Sequence, residues 1–168
     1  MSKTIIRHAT NEDFPVLLEI DAASFPEETA YNSKELSYFM NQAGAETIVL
    51  ERGGTIAAFL IVEVDHRTRT GTVVTLDVRE GFRRLGFGSK LIQRAEEIVT
   101  EKDAWQFRLQ VDVNNSGAIA FYEKHGFQLV GEEEKNRLLG TYWQIPERQI
   151  ETSVVLMYDR SHASTGKG

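Results

Sequence analysis

The chain contains no cysteine. Disulfides, thiolate nucleophiles and cysteine-ligated zinc are therefore excluded, and no metal is expected. No unbroken apolar run is long enough to span a membrane. No signal-peptide core follows Met1-Ser2-Lys3-Thr4, so a cytoplasmic location is the expectation. Basic charge is in the minority, with a formal net charge of −6. A general nucleic-acid binder carries a basic face instead, so no direct nucleic-acid binding is expected. There is no internal repeat and no domain linker. What remains is 168 residues, 41% of them hydrophobic, enough for one domain with a sizeable core. That domain is expected over residues 1–160, with the small, polar stretch 161–168 as a disordered tail.

The most informative stretch is Arg83-Arg84-Leu85-Gly86-Phe87-Gly88-Ser89. A strand-like run, Thr72 to Val78, leads into it, and a helix-like run, Gly88 to Lys102, leads out. The first N–H groups of a helix have no intrahelical partner, and the helix dipole adds partial positive charge there. Glycine lets such a backbone come close to a ligand. The pattern suits a phosphate or pyrophosphate, and Arg83 and Arg84 add full positive charge beside it. It is neither the Walker pattern nor the three-glycine dinucleotide fingerprint. A plain tight turn with solvated arginines is the competing reading.

The remaining elements follow from periodicity. Thr4 to His8 reads as a strand, and Thr10 as the cap of a helix carrying Phe14, Leu17, Leu18 and Ala22. Ser33 is placed as the cap of a second helix, which Gly44 ends. Glu46 to Arg52 and Thr55 to Val64 read as a hairpin about Gly53-Gly54. Phe87, Leu91, Ile92, Ala95, Ile98 and Val99 share one face of the next helix. Trp105 to Val113 is a strand with Phe107, Leu109 and Val111 on one side and Arg108, Gln110 and Asp112 on the other. A short helix over Asn115 to His125, a strand from Phe127 continuing at Leu138 to Trp143, a loop at 145–149 and a last strand from Thr152 complete the chain. The order β-α-α-β-β-β-α-β-α-β-β predicts an α/β chain with one mixed sheet and helices on its faces.

Arg-Arg-x-Gly-x-Gly after a strand ending in Val78 resembles the acetyl-CoA loop of the GNAT superfamily of N-acetyltransferases. A second segment, Asn115-Ser116-Gly117-Ala118-Ile119-Ala120-Phe121-Tyr122-Glu123-Lys124-His125-Gly126-Phe127, resembles that superfamily's Asn-x-x-Ala-x-x-Phe/Leu-Tyr-x-x-x-Gly-Phe. The two stand in the right order, separated by a helix and a strand, and the element order is also that of GNAT folds. The group most similar in pattern is the ribosomal-protein alanine N-acetyltransferases.

The resemblance implies acetyl-CoA as co-substrate. Backbone N–H groups over Arg84, Leu85, Gly86, Phe87, Gly88 and Ser89 would take its pyrophosphate, and Arg83, Arg84 and Lys90 its peripheral phosphate. Leu76, Asp77 and Val78 would lie along the pantetheine arm and Asn115 would contact the cofactor, although sheet pairing and an N-cap are ordinary roles for such residues. Tyr122 matches the family's general acid. A phenol of pKa about 10 can protonate a thiolate whose conjugate acid lies at about 8.5 to 9; a packed core tyrosine is the alternative. The glutamate that serves the similar group as base is replaced by Gln110, and an amide cannot take that proton. Asp112 is the substitute base on the same side of the strand, with Asp77, Glu63 and Glu27 as further candidates.

By the same analogy the acceptor groove lies between the first interhelical loop, with Phe25, Pro26, Glu27, Glu28 and Tyr31, and the loop bearing Tyr142 and Trp143. The acceptor contacts are assigned to Glu27, Tyr31, Gln110 and Tyr142. An α-amine of pKa about 8 is roughly one-tenth neutral at pH 7, whereas a lysine amine near 10.4 is neutral in roughly one molecule in 2,500. A site with a weak base is less handicapped on α-amines. The expected reaction is direct acetyl transfer to the N-terminal amine of a protein or peptide. A small-amine acetyltransferase, a CoA-binding sensor without turnover and a nucleotide-binding regulatory domain are the alternatives, and a monomer or homodimer is expected.

Overall fold

A computed structural model of the chain describes residues 3–27, 29–112, 114–134 and 152–159, the last two strands by their backbone. Its elements are β1 (Thr4–His8), α1 (Phe14–Ser24), α2 (Ser33–Met40), β2 (Ala45–Arg52), β3 (Thr55–Asp65), β4 (Thr70–Val78), α3 (Phe87–Glu101), β5 (Gln106–Asp112), α4 (Ser116–Lys124), β6 (Gln128–Glu134) and β7 (Thr152–Asp159). The strands form one mixed sheet in the order β1-β2-β3-β4-β5-β7-β6. β4 and β5 are parallel, and the other neighbours are antiparallel. The expected mixed sheet with helices on its faces is therefore what the chain forms. Glu28, the expected strand over 138–143 with Tyr142 and Trp143, the loop at 145–149 and the tail at 161–168 lie outside the described residues.

Two cores sandwich the sheet. Under α3 and α4 lie Leu60, Val62, Val73, Phe107, Leu109 and Val111. The face predicted for α3 is buried at all six positions, from Phe87 to Val99. The opposite core joins Leu17 and Ile20 of α1 and Leu36 and Phe39 of α2 to Val49, Phe59 and Ile61. β3 is buried on both faces over most of its length, so its apolar run is continuous rather than alternating. Gly53 and Gly54, both at positive φ, close the β2–β3 hairpin between paired Arg52 and Thr55. That is the backbone a two-residue hairpin turn of this hand requires. Among the described residues, no helix is long and apolar enough to cross a membrane.

Three local expectations are corrected. Asn32, not Ser33, caps α2: its side chain accepts the Glu35 N–H at 2.8 Å while Glu35 accepts the Asn32 N–H at 3.0 Å. The reciprocal pair satisfies two donors, which Ser33 inside the first turn cannot do. Gly44 does not end α2, which stops at Met40; Gly44 sits at φ +84° and its carbonyl accepts from Val64 N at the start of β2. Thr10 opens a 3-10 turn, Asn11–Asp13, and α1 begins after it. The reason is Asp13, whose carboxylate accepts from the Thr10 N–H at 2.7 Å and from both terminal nitrogens of Arg7 at 2.8 and 3.0 Å. Arg7 also donates to Glu51 on β2 at 2.6 Å.

The hydrogen bond from Arg7 holds the Asp13 carboxyl down to about 2, against the opposing pull of burial. A carboxyl depressed in the folded state stabilises above its unfolded value, and that stability is lost as pH falls from about 4 towards 2. Asp13→Asn should lower stability by about 1–2 kcal/mol at neutral pH. It should also flatten the acid limb of the unfolding curve, measured by urea titration across that range. An unchanged acid limb would remove this contact from the account.

Candidate active site

β4 and β5 are parallel for four residue pairs, Thr70 with Gln106 through Val73 with Leu109, and share no ladder beyond them. Past that point the strands part, and a cavity of about 470 Å³ lies between them. Its β4 wall is Val73 to Leu76 and its β5 wall is Leu109 to Asp112, so the last pair of the ladder closes its end. α4 contributes Asn115, Ala118 and Tyr122, and the α1–α2 connection contributes Phe25, Pro26 and Thr29. The cleft is thus bounded by elements from both faces of the sheet.

The alternation of β5 assigns the faces. Phe107, Leu109 and Val111 belong to the core under α3 and α4. Gln110 and Asp112 therefore point towards α1 and α2. Tyr122 belongs to the α3/α4 core, 9% exposed, with its ring edge-on to Phe121 and Phe127 at 5.1 and 5.7 Å. Tyr122 and the pair Gln110–Asp112 thus meet one cavity from opposite sides. Asn115 Oδ1 accepts the Ala118 N–H at 3.1 Å, so it caps α4 at the cavity wall. Asp112 Oδ1 accepts the Asn114 N–H at 2.9 Å, and the Asn115 N–H donates to the Asp112 carbonyl. This turn binds the end of β5 to the start of α4.

The loop after β4 is built to expose the start of α3. Gly86, at φ +82°, caps the helix, and a Cβ placed there would meet no atom within 4 Å. The backbone at this point faces open space, as a cradle for a bulky anion requires. Gly88 differs. A Cβ there would stand 3.3 Å from the Phe121 ring, so this glycine lets α3 pack on α4 rather than opening a path to a ligand. Arg83 and Arg84 are exposed; Arg83 Nε donates to the Val78 carbonyl at 3.1 Å, and Arg84 adopts φ 65°. Leu85 is 47% exposed, whereas the Phe87 side chain is buried against Phe82 and beneath the Arg52 guanidinium. Ser89 Oγ lies 2.8 Å from His125 Nε2.

Some predicted positions lie apart from the cleft. Of Leu76, Asp77 and Val78, only Leu76 lines the cavity. Asp77 is 1% exposed and accepts the Thr75 hydroxyl at 2.6 Å, while Val78 packs into the α3/α4 core. Tyr31 is buried against Phe39 at 5.1 Å, its N–H donating to the buried Asp21 carboxylate at 2.8 Å, and it does not line the cavity. Glu27 is exposed and also off the cavity wall. Glu63 is partly buried on β3, away from that wall; burial, with Asp65 beside it, pushes its carboxyl up. Ala118, the alanine of the second segment, lines the cavity, and Thr75, Thr29 and Ser24 line it without a sequence signal that marks them. The Thr75–Asp77 pair was foreseeable, since residues two apart on a strand share a face.

The model of the Acetyltransferase (GNAT) family matches residues 6–127, so the chain belongs to the GNAT family of acetyltransferases. It is 29% identical over 140 residues to an N-alpha-acetyltransferase of Sulfurisphaera tokodaii, a match covering 74% of this chain and 80% of that one. Its fold is similar to that of the ribosomal-protein-S18-alanine N-acetyltransferase from Escherichia coli, with a TM-score of 0.76, 20% identity and 94% of each chain covered. It is also similar to Arabidopsis thaliana Naa50, solved in complex with the bisubstrate analogue CoA-Ac-MVNAL. There the TM-score is 0.74 and the identity 18%, over 93% of this chain and 98% of that one.

The two glycines of the loop should separate on mutation. Gly86→Ala places a side chain in open space on a left-handed backbone and should cost about 1–2 kcal/mol. Gly88→Ala should push Phe121, and α4 with it, away from α3. Its cost of about 1–3 kcal/mol should come with a change in Tyr122 fluorescence or ring resonances that Gly86→Ala does not show. Identical spectra for both variants would contradict the assignment.

Proposed function

We propose that this acetyltransferase moves the acetyl group of acetyl-CoA to the N-terminal α-amine of a protein or peptide by direct attack. The observation that carries this reading is the cavity where β4 and β5 part, met by Tyr122 from one side and by Gln110 and Asp112 from the other. The open backbone at Gly86 fits a diphosphate: it leads into the free N–H groups from Phe87 to Ser89, Arg83 and Arg84 stand beside it, and a Cβ on Gly86 would meet no atom within 4 Å. Backbone groups of β4 over Leu76 to Val78 hold the pantetheine arm as an added strand would, since β5 has left that edge. Asn115 and Leu85 border the same cofactor. The co-substrate supplies an activated acyl group on a good leaving sulfur, and the protein's residues do the rest.

The acceptor amine enters from the α1/α2 side, past Phe25, Pro26 and Thr29. Gln110 positions it with its amide. Asp112 takes its proton, directly or through one water, because one carboxylate oxygen bonds Asn114 and the other can turn to the cavity. Tyr122, on the far side, gives its proton to the departing sulfur. Placing acid and base on opposite faces lets both act in one passage of the substrate without contact between them. No nucleophilic side chain is required. The similarity to an N-alpha-acetyltransferase supports the α-amine as acceptor, as does the modest basicity of an amine that a weak base can use.

Tyr122→Phe should lower kcat by roughly 10²-fold or more, with the Kd for CoA nearly unchanged by titration calorimetry. Asp112→Asn should lower kcat and shift the dependence on pH upward, because more of the amine must be neutral before attack. Thiol release is to be measured with peptides bearing free N-termini, matched N-blocked lysine peptides, polyamines and amino acids. Release with free N-terminal peptides alone supports the proposal. Release with small amines alone replaces the acceptor, and CoA binding without release from any acceptor replaces the enzyme with a sensor.

A further inference from the structure

The contact between α3 and α4 joins the diphosphate cradle to the helix that carries Tyr122, and its polar half is one pair of side chains. Ser89, in the first turn of α3, and His125, at the end of α4, are 36 positions apart in sequence and 2.8 Å apart between Oγ and Nε2. Beside them a Cβ on Gly88 would stand 3.3 Å from the Phe121 ring, and the His125 and Phe121 rings lie 4.8 Å apart. Neither the acid–base chemistry nor the packing of the core uses the imidazole. It borders an open groove along α3, so a proton can reach it from solvent.

We propose that His125 is a positioning residue for the acetyl-CoA diphosphate, setting through Ser89 which way the first turn of α3 directs its hydroxyl hydrogen. The inference rests on the cradle being the diphosphate site. A neutral imidazole can accept the Ser89 hydroxyl proton at Nε2, which turns that hydrogen away from the cradle. A protonated imidazole has no lone pair left at Nε2 and can only donate to Ser89 Oγ. The serine hydrogen is then released towards an anion, and a positive charge stands one residue behind it. Diphosphate binding and protonation of His125 therefore favour one another.

The charged surroundings set where this happens. Burial, and then Lys124 on the same helix, push His125 below its ordinary value, while Glu96 of α3 pulls the other way. Arg94, Glu97 and Glu101, the other charged residues of the groove, are engaged with one another through ion pairs, and Gln93 and Thr100 complete its lining. The free protein accordingly holds His125 neutral at neutral pH. A bound diphosphate raises the proton affinity, so binding takes up a proton and tightens as pH falls.

The test uses dephospho-CoA, which lacks the 3′-phosphate monoester whose own ionisation near about pH 6 would obscure the effect. Its Kd is measured by titration calorimetry between about pH 5.5 and about pH 8 for the wild type, His125→Gln and Ser89→Ala. The expected result is roughly five-fold tighter binding at the acid end for the wild type, a flat profile for His125→Gln, and a shallower slope than the wild type for Ser89→Ala, which keeps the imidazolium charge but not the hydroxyl. The His125 ring resonance of the wild type, followed by NMR with and without dephospho-CoA, should titrate at higher pH in the complex. This second measurement stands even if a variant does not fold. A wild-type slope retained in His125→Gln, or a His125 titration that the ligand leaves unmoved, overturns the inference while the cradle stands. Absence of binding by the wild type at every pH overturns both.

Discussion

The parallel pairing of β4 with β5 stops at Val73 and Leu109, four residue pairs after it starts. A parallel ladder of ordinary length would bury the inner edges of both strands against each other. Here each strand is instead held from its outer side, β4 by β3 over almost its whole length and β5 by β7 from Gln106 to Asp112. The sheet can therefore open in its middle without coming apart. The opening exposes backbone on both edges, and exposed backbone inside a fold has to be satisfied by something. In the proposed function that something is the amide-bearing arm of the co-substrate.

The rest of the site depends on that gap. α3 starts after the end of β4, and a Cβ on Gly88 in its first turn would stand 3.8 Å from Val78, although the loop from Arg83 to Ser89 does not itself line the cavity. The Asp112–Asn114–Asn115 turn starts α4 directly off the end of β5, which aims Tyr122 back into the gap. Gly88 against Phe121 and Ser89 against His125 then lock the two helices together. On the opposite face, the buried Asp21 carboxylate holds the Tyr31 N–H and shapes the connection that bears Phe25 and Pro26. A buried carboxylate is costly unless it is hydrogen-bonded, so this one marks a segment whose conformation matters.

Much of this was legible in the sequence because it is periodic. The six apolar positions of α3, the alternation of β5 and the Gly53-Gly54 hairpin each follow from a repeat or a turn signal within a few residues. The loop from Arg83 to Ser89 and the segment from Asn115 to Phe127 were legible as a joint pattern, although each has a bland reading alone. What was not legible depends on distant partners. Tyr31 reads as a groove aromatic until Asp21 and Phe39 enclose it. Asp13 reads as a first-turn acid until Arg7 and Thr10 are placed around it. Gly86 and Gly88 look alike in the sequence and differ only in what stands opposite each. Asn32 and Ser33 are both good capping residues, and only the reciprocal bond with Glu35 chooses between them.

The most direct test of the central claim is backbone amide hydrogen exchange with and without acetyl-CoA, read residue by residue. If the parted strands receive the co-substrate, protection should rise over Thr75 to Val78 and over Gly86 to Ser89. The paired stretch from Thr70 to Val73 should change little. Protection that leaves both segments unchanged while acetyl-CoA is demonstrably bound would place the ligand elsewhere and contradict the account.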